Sequence, residues 1–248
     1  MIDSRSTTKP SIHRLITAVV CGVALCVWQT AVAQLKVSES VIELHASDEI
    51  TTIELSNTGK DSIQVTMDLN AVSAPGIVEN GKEDIRPANA EILRIEPNAF
   101  EIAPNASQTV TVHHTARNLI EDEIYRLRVT PELKQPQNGM NIRLSYDLLL
   151  MIRPDVSVPK IRLRTSNDNL SFVNIGNSNA LLSSIQVCDE LVGDCQSLPS
   201  SRLYTKQILP LTIPTQFNIN HTVIKTVQSH LDQRNEINYH VPTVTVSR

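Results

Sequence analysis

The chain has 248 residues with 22 Lys and Arg against 26 Asp and Glu, a formal net charge of −4, and only one Trp, three Phe and four Tyr. That balance excludes a basic nucleic-acid footprint, and the scarcity of aromatic residues means that any core is packed chiefly by Ile, Leu and Val.

At the N-terminus, Lys9 and Arg14 precede the nearly uncharged run "LITAVVCGVALCVW" (Leu15 to Trp28), which ends near the small-residue triplet "AVA" at Ala31 to Ala33. A basic start, a short apolar stretch and an A-x-A site make residues 1–33 a secretory signal peptide cut after Ala33. The apolar run is shorter than the roughly 20 residues a membrane anchor needs, so no membrane insertion is expected after cleavage. The residues before Cys21 and Cys26, Val20 and Leu25, are too large for a lipobox. The segment carries Arg5, Lys9 and Arg14 against Asp3, so its removal takes the net charge from −4 to about −6. About 215 residues remain, enough for two domains of about 100.

Beyond the leader, strand signals recur at short intervals and helix signals are scarce. "TTIELSN" (Thr51 to Asn57) ends at a turn, after which Ile63, Val65, Met67 and Leu69 alternate without a fault. Then come "AEILRIEP", "FEIAPNASQTVTVHH" with Val110 and Val112 in phase, and "EIYRLRVTPEL" with Tyr125, Leu127 and Val129 in phase. Short alternating runs separated by Pro, Asn and Gly turns predict an antiparallel β-sandwich over residues 34–153.

The last strand of that block is "MNIRLSYDLLLMIRP" (Met140 to Pro154). Its even positions, Met140, Ile142, Leu144, Tyr146, Leu148, Leu150 and Ile152, are all apolar or aromatic, while the odd positions from Asn141 to Asp147 are polar. A period of two over such a length could span roughly 45 to 50 Å at about 3.3 Å per residue, against a usual strand of about five or six residues. In Leu148 to Ile152 the odd residues Leu149 and Met151 are apolar too, which predicts burial on both faces. Met140 to Tyr146 follows the polar "KQPQNG" and keeps strict alternation. If it lies at a sheet edge, it is suited to adding itself to another protein's sheet, main chain to main chain. Long alternating edges are aggregation templates that proteins normally blunt, so its retention points to use.

In "RPDVSVPK" (Arg153 to Lys160), two prolines bracket a short polar stretch and predict a stiff hinge at 154–159. "KIRLR", "LSFVNIGNSN", "LLSSIQVC", "RLYTKQILP" and "VPTVTVSR" again read as strands and turns, predicting a second, smaller sandwich over 160–248 without a visible internal repeat. Cys188 and Cys195 in "VCDELVGDC" are expected to form a hairpin disulfide in an oxidising compartment, worth roughly 2 to 3 kcal/mol by loop-closure entropy. Without a Trp or a long-range Cys pair beyond the leader, the domains are immunoglobulin-like but not of the antibody kind.

No catalytic constellation accompanies this architecture: there is no G-x-S-x-G elbow, no G-x-G-x-x-G, no P-loop and no H-E-x-x-H, which weakens a secreted hydrolase. His113 and His114 are neighbours in a predicted strand and point to opposite faces, so they do not share a metal. The acids Glu121, Asp122 and Glu123 lie between strands and read as a solvated loop. No enzyme activity, cofactor or metal is expected. The sequons at Asn105, Asn169 and Asn220 are explained by chance. The rival all-β reading is a secreted adhesin or structural surface protein.

Taken together, "ITTIELSNTG", "RIEPNAFEIAPNASQTVTV", "EIYRLRVTPEL" and "MNIRLSYDLLLMIRP", in that order behind a signal peptide, resemble the periplasmic chaperones of the chaperone/usher pilus pathway, the PapD-like proteins. "VCDELVGDC" followed by "RLYTKQILP" is more similar to the α-type branch that assembles the alternate, class 5 fimbriae. The resemblance implies two immunoglobulin-like β-sandwich domains in a boomerang arrangement, a periplasmic location, and pilin subunits and an outer-membrane usher as partners. It also implies donor-strand complementation: an incomplete subunit accepts Met140, Ile142, Leu144 and Tyr146 as its missing strand. A free chaperone would then cap its own edge as a homodimer or leave it open. Typical members anchor the subunit's C-terminal carboxylate with an Arg on the first strand and a Lys on the long strand. Counted from Asn57 and Pro154, those positions here hold Val41 and Leu149, which leaves Arg153, Arg143, Arg126 and Lys36 as the candidate anchors.

Overall fold

The computed structural model describes residues 34–79, 82–115, 117–133, 144–166, 169–218 and 221–241. The signal segment, Met140, Ile142 and Arg143 therefore lie outside the described residues. The first half contributes β1 (Leu35–Val37), β2 (Val41–His45), β3 (Ile50–Asn57), β4 (Ile63–Val72), β5 (Val78–Glu79), β6 (Lys82–Glu83), β7 (Ile85–Pro87), β8 (Leu93–Glu96), β9 (Ala99–Ile102), β10 (Ser107–His114), β11 (Glu123–Leu133) and β12 (Tyr146–Arg153). One sheet runs β1-β3-β10-β8; the other runs β2-β12-β11-β4-β7, with β9 joining β4. Alternation in the sequence becomes sidedness here. Ile53 and Leu55 of β3, Ile63, Val65 and Met67 of β4, Tyr125, Leu127 and Val129 of β11, and Leu148, Leu150 and Ile152 of β12 meet in one core between the sheets.

A second pair of sheets follows, built from β13 (Ile161–Ser166), β14 (Asn169–Asn174), β15 (Ala180–Asp189), β16 (Cys195–Ser197), β17 (Ser201–Leu203), β18 (Ile208–Leu211), β19 (Thr222–His230) and β20 (Gln233–His240). β13-β14-β18 faces β16-β15-β19-β20, with β17 joining β15. Its core is a smaller aliphatic cluster around Phe172, Leu182 and Ile224, with the Tyr239 ring edge-on to Phe172 at 4.9 Å. Cys188 and Cys195 face each other across β15 and β16 and are joined as a disulfide.

The same polar device closes a corner in each half, although no repeat is legible in the sequence. Asn57, 1 % exposed, donates from Nδ2 to the carbonyls of Asp61 (2.8 Å), Ile102 (3.1 Å) and Ala103 (3.2 Å) and accepts from Gly59 N–H (2.9 Å). Asn174, fully buried, donates to Ser178 O (2.7 Å) and Leu203 O (3.1 Å) and accepts from Gly176 N–H (3.0 Å) and Lys160 N–H (3.2 Å). In each N-x-G corner a buried amide replaces water for several backbone groups at once.

The two glycines are not equivalent. A Cβ on Gly176 would sit 2.3 Å from Val158 O and 2.4 Å from Lys160 N, both backbone atoms of the 154–160 connection. A Cβ on Gly59 meets the flexible Gln34 side chain at 2.9 Å. Gly176→Ala is accordingly expected to cost about 1–3 kcal/mol by forcing that backbone apart, whereas Gly59→Ala should stay within about 1 kcal/mol. Chemical denaturation of both variants measures the difference.

Candidate functional site

The site is built on β12. On one side β12 pairs antiparallel with β11 from Tyr146 (opposite Val129) to Ile152 (opposite Glu123). On the other side β2 runs parallel to it only from Leu149 (opposite Val41) to Arg153 (opposite His45). The last bond on that side is Leu149 N–H to Ser40 O at 3.0 Å. N-terminal to Leu149 the outer backbone edge of this strand therefore has no ladder partner among the described residues.

Burial follows the same division. Leu148 is 3 % exposed, and Leu150, Met151 and Ile152 are at 0 %, whereas Leu144, in the same phase as Leu148, is 57 % exposed. The strand is thus buried on both faces where that was expected. Its even residues enter the sandwich core, and Leu149 and Met151 pack on the opposite face with Val72, Ile124 and Tyr204. Regular strand begins at Tyr146, later than the periodicity alone predicts, with Leu144 and Ser145 outside it. Tyr146 is half-buried, and its hydroxyl donates to Leu35 O of β1.

The candidate anchors are not brought together. Arg153 is fully buried, not presented to a partner. Its Nε donates to Glu43 (2.9 Å), and one terminal nitrogen to Ser178 Oγ (2.6 Å), Asn179 O (3.3 Å) and Asp122 (3.4 Å). A guanidinium offers a rigid planar fork, so one side chain ties β2, the 121–123 turn and the start of β15 together. Arg126, beside Leu149 across the β11–β12 ladder, makes a two-pronged bond to Glu83 at 2.7 and 3.0 Å. That bond to Glu83 raises the Arg126 pKa further above its ordinary value, against the lowering effect of burial. Lys36 stands exposed on β1, an edge strand of the other sheet. Arg143 lies outside the described residues.

The solvated-loop reading of residues 121–123 is corrected at Asp122. Its side chain is 4 % exposed and accepts from Ser178 Oγ (2.7 Å), Asn179 N–H (2.6 Å) and the Asn179 amide, besides Arg153. It is a buried hub whose partners lie 56 and 57 positions away, and nothing local in "EDE" announces them. Glu123 pairs with Arg117 at 2.5 Å and accepts from Tyr125 OH at 2.8 Å; burial and that carboxylate raise the tyrosine's pKa. His113 and His114 do alternate: His113 lies 3.4 Å from Glu96, and His114 is 4 % exposed. Among the described residues no group of three or more His, Cys, Asp or Glu is placed to hold a metal.

The described residues thus form two consecutive β-sandwiches, a buried polar hub beside the residues that connect them, and one strand whose pairing with β2 stops at Leu149. The family model for the pili and flagellar-assembly chaperone, PapD N-terminal domain, matches residues 34–157, half of the chain, and the protein belongs to that family. A search of curated proteins returns no match by sequence. Solved structures show the same fold. The class 5 fimbriae chaperone CfaA is 15 % identical, with a TM-score of 0.61 over 83 % of this chain and 97 % of its own. The Salmonella enterica SafA pilin–SafB chaperone structure is 15 % identical, with a TM-score of 0.58 over 85 % of this chain and 98 % of its own. The Pseudomonas aeruginosa chaperone CupB2 is 12 % identical, with a TM-score of 0.55 over 83 % of this chain and 100 % of its own.

Proposed function

We propose that this pilus-assembly chaperone works by lending the edge around Leu144 to Leu148, continued through Met140 and Ile142, to a fimbrial subunit that lacks a strand. The observation that carries the reading is the end of β2 pairing at Leu149, while Leu144, in the core-facing phase, remains 57 % exposed. A backbone edge with unused N–H and C=O groups and an apolar side chain in register is what β-strand addition requires. Met140, Ile142, Leu144 and Tyr146 are the donated side chains in this account. Burying three or four of them contributes roughly 5 to 10 kcal/mol before ordering costs, enough to hold an otherwise unstable subunit. The SafB structure, described with its pilin, supports a subunit of that kind as the partner.

The role is binding, not catalysis, and its place is the periplasm, reached by cleavage after Ala33. No helix among the described residues is long and apolar enough to cross a membrane. Release follows when an outer-membrane usher exchanges the lent strand for that of the next subunit. The position of Arg153 favours holding the two sandwiches in register over anchoring a carboxylate.

Co-expression with a fimbrial subunit tests the reading. A one-to-one complex that protects the subunit from periplasmic proteases is the expected result. A subunit equally stable and equally uncomplexed without this protein contradicts it.

A further inference from the structure

Beside Val41, the first paired residue of β2, the chain forms a cavity of about 550 Å³. Val41, Leu181 and Leu231 contribute its apolar lining, beside Glu39, Asp232 and Arg202. Its charge runs opposite to what a carboxylate would need. Glu39, Glu43 and Asp232 all line it, and Arg202 is the one cation among the lining residues.

The charged groups differ in how committed they are. Glu43 is held by Arg153 Nε at 2.9 Å, and Arg202 donates to Asn179 Oδ1 at 2.6 Å. Burial lowers the pKa of Arg202, which the nearby Glu43 carboxylate partly opposes. Glu39 and Asp232 are both exposed, and neither makes an ion pair among the described residues. The cavity therefore keeps two unanswered negative charges beside a half-exposed aliphatic lining, with Val41 at 37 % and Leu231 at 40 % exposure.

Leu231 adds an independent observation. It sits in the two-residue turn between His230 and Gln233 with a φ of +50°, a left-handed conformation that a Leu side chain disfavours and that Gly or Asn adopts readily. Strain of this kind persists where the surrounding structure imposes it and is common at binding sites. Here it accompanies a leucine side chain in the wall of the cavity.

We propose that this cavity receives a lysine or arginine side chain of the bound fimbrial subunit, its methylenes lying on Val41, Leu181 and Leu231 and its cationic head between Glu39 and Asp232. Long cationic side chains bury their stems on apolar surface and keep the charge at a polar rim, which is the division this lining offers. Matching charge at a rim sets which partner is accepted and how fast it associates more than it sets raw affinity. The inference rests on the chaperone reading for the identity of the partner. It replaces an anion-binding site beside Val41 with a cation-binding one.

The test has two arms. In the first, the purified protein is titrated with N-acetyl-lysine amide, N-acetyl-arginine amide, the neutral isostere N-acetyl-norleucine amide and hexanoate, while the methyl resonances of Val41, Leu181 and Leu231 are followed. Saturable shifts at about millimolar concentration are expected for both cationic probes. Binding of the norleucine probe, and of lysine amide to the Glu39→Gln/Asp232→Asn double variant, is expected to be roughly tenfold weaker, with added salt acting in the same direction. Equal binding of the norleucine probe, no saturable shift with any probe, or a preference for hexanoate overturns the proposal.

In the second arm, the same double variant is compared with the unaltered chain for affinity toward a co-purified subunit. A loss of roughly tenfold is expected, and unchanged affinity overturns the assignment of the cavity to the subunit. The first arm contains no subunit, so it stands or falls independently of donor-strand complementation. Both substituted side chains are exposed, and a thermal melt confirms that the variant is folded.

Discussion

Replacing Ile142 and Leu144 together by aspartate is expected to abolish capture of a fimbrial subunit by a protein that still folds. Each side chain, if buried in a partner, contributes about 1.5–3 kcal/mol, so losing two costs about 3–6 kcal/mol even before a carboxylate is forced into an apolar groove. At about 1.4 kcal/mol per decade, that is a weakening of roughly 100- to 10,000-fold. Leu144 is 57 % exposed in the free protein, so its replacement removes little of the protein's own core. The control is Ser145→Asp, on the same edge but in the opposite phase, which should change affinity by less than about threefold because its side chain faces away from the partner's groove. Calorimetric titration against a denatured-and-refolding subunit, with co-purification as a second readout, measures both variants. Equal losses for the two would show that negative charge near the edge matters and that phase does not, which contradicts insertion of alternate side chains.

Arg153→Met is expected to have the largest effect on stability. The arginine is fully buried and serves Glu43, Asp122, Ser178 Oγ and the Asn179 carbonyl. Removing it leaves the Asp122 carboxylate, 4 % exposed, without its counter-charge. Breaking a buried pair from one side costs about 3–5 kcal/mol, because the remaining charge stays desolvated. For a chain of this size that corresponds to a fall of about 6–20 °C in Tm. Two companions separate charge from shape. Asp122→Asn in the Arg153→Met background should recover part of the loss, since the orphaned charge disappears. Arg153→Lys should recover little, since one ammonium cannot reach Glu43 and Ser178 with the geometry of a planar fork. If Arg153 were a subunit anchor and nothing more, Tm would be unchanged and only complex formation would suffer.

The two sandwiches were legible because their cores are made by alternation. Ile63, Val65 and Met67, or Tyr125, Leu127 and Val129, can satisfy a period of two only by sharing one face, and the structure buries them together. The double burial of Leu148 to Ile152 was legible for the same reason, since apolar residues at both parities leave no solvent face. The disulfide was legible from compartment and short spacing, and its cysteines stand in register across a hairpin.

What escaped the sequence is the polar interior. Asp122 looked solvated because its partners, Ser178 and Asn179, come from a distant turn and carry no charge of their own. Arg153 was a candidate carboxylate anchor next to the hinge, yet its counter-charges sit 110 and 31 positions away in sequence. The N-x-G corners at Asn57 and Asn174 are three residues long, too short to register as a repeat, and their likeness lies in what the buried amides bond. Arg202 read as one residue of an ordinary strand. Only the fold sets it in the same cavity wall as Val41. Hydrophobic patterning is local and periodic, whereas buried polar networks are assembled across chain distance, and a single sequence records the first far better than the second.

Hydrogen exchange of the free chaperone and of its complex with a subunit, read amide by amide from Met140 to Arg153, tests the donated strand most directly. Leu149 to Ile152 are already paired on both sides and should exchange slowly in both states. From Met140 to Leu148 the account expects new protection in the complex at alternate amides, those facing the open edge, with the rest changed little. Protection confined to the second pair of sheets, with Met140 to Leu148 exchanging as fast in the complex as in the free protein, would contradict it.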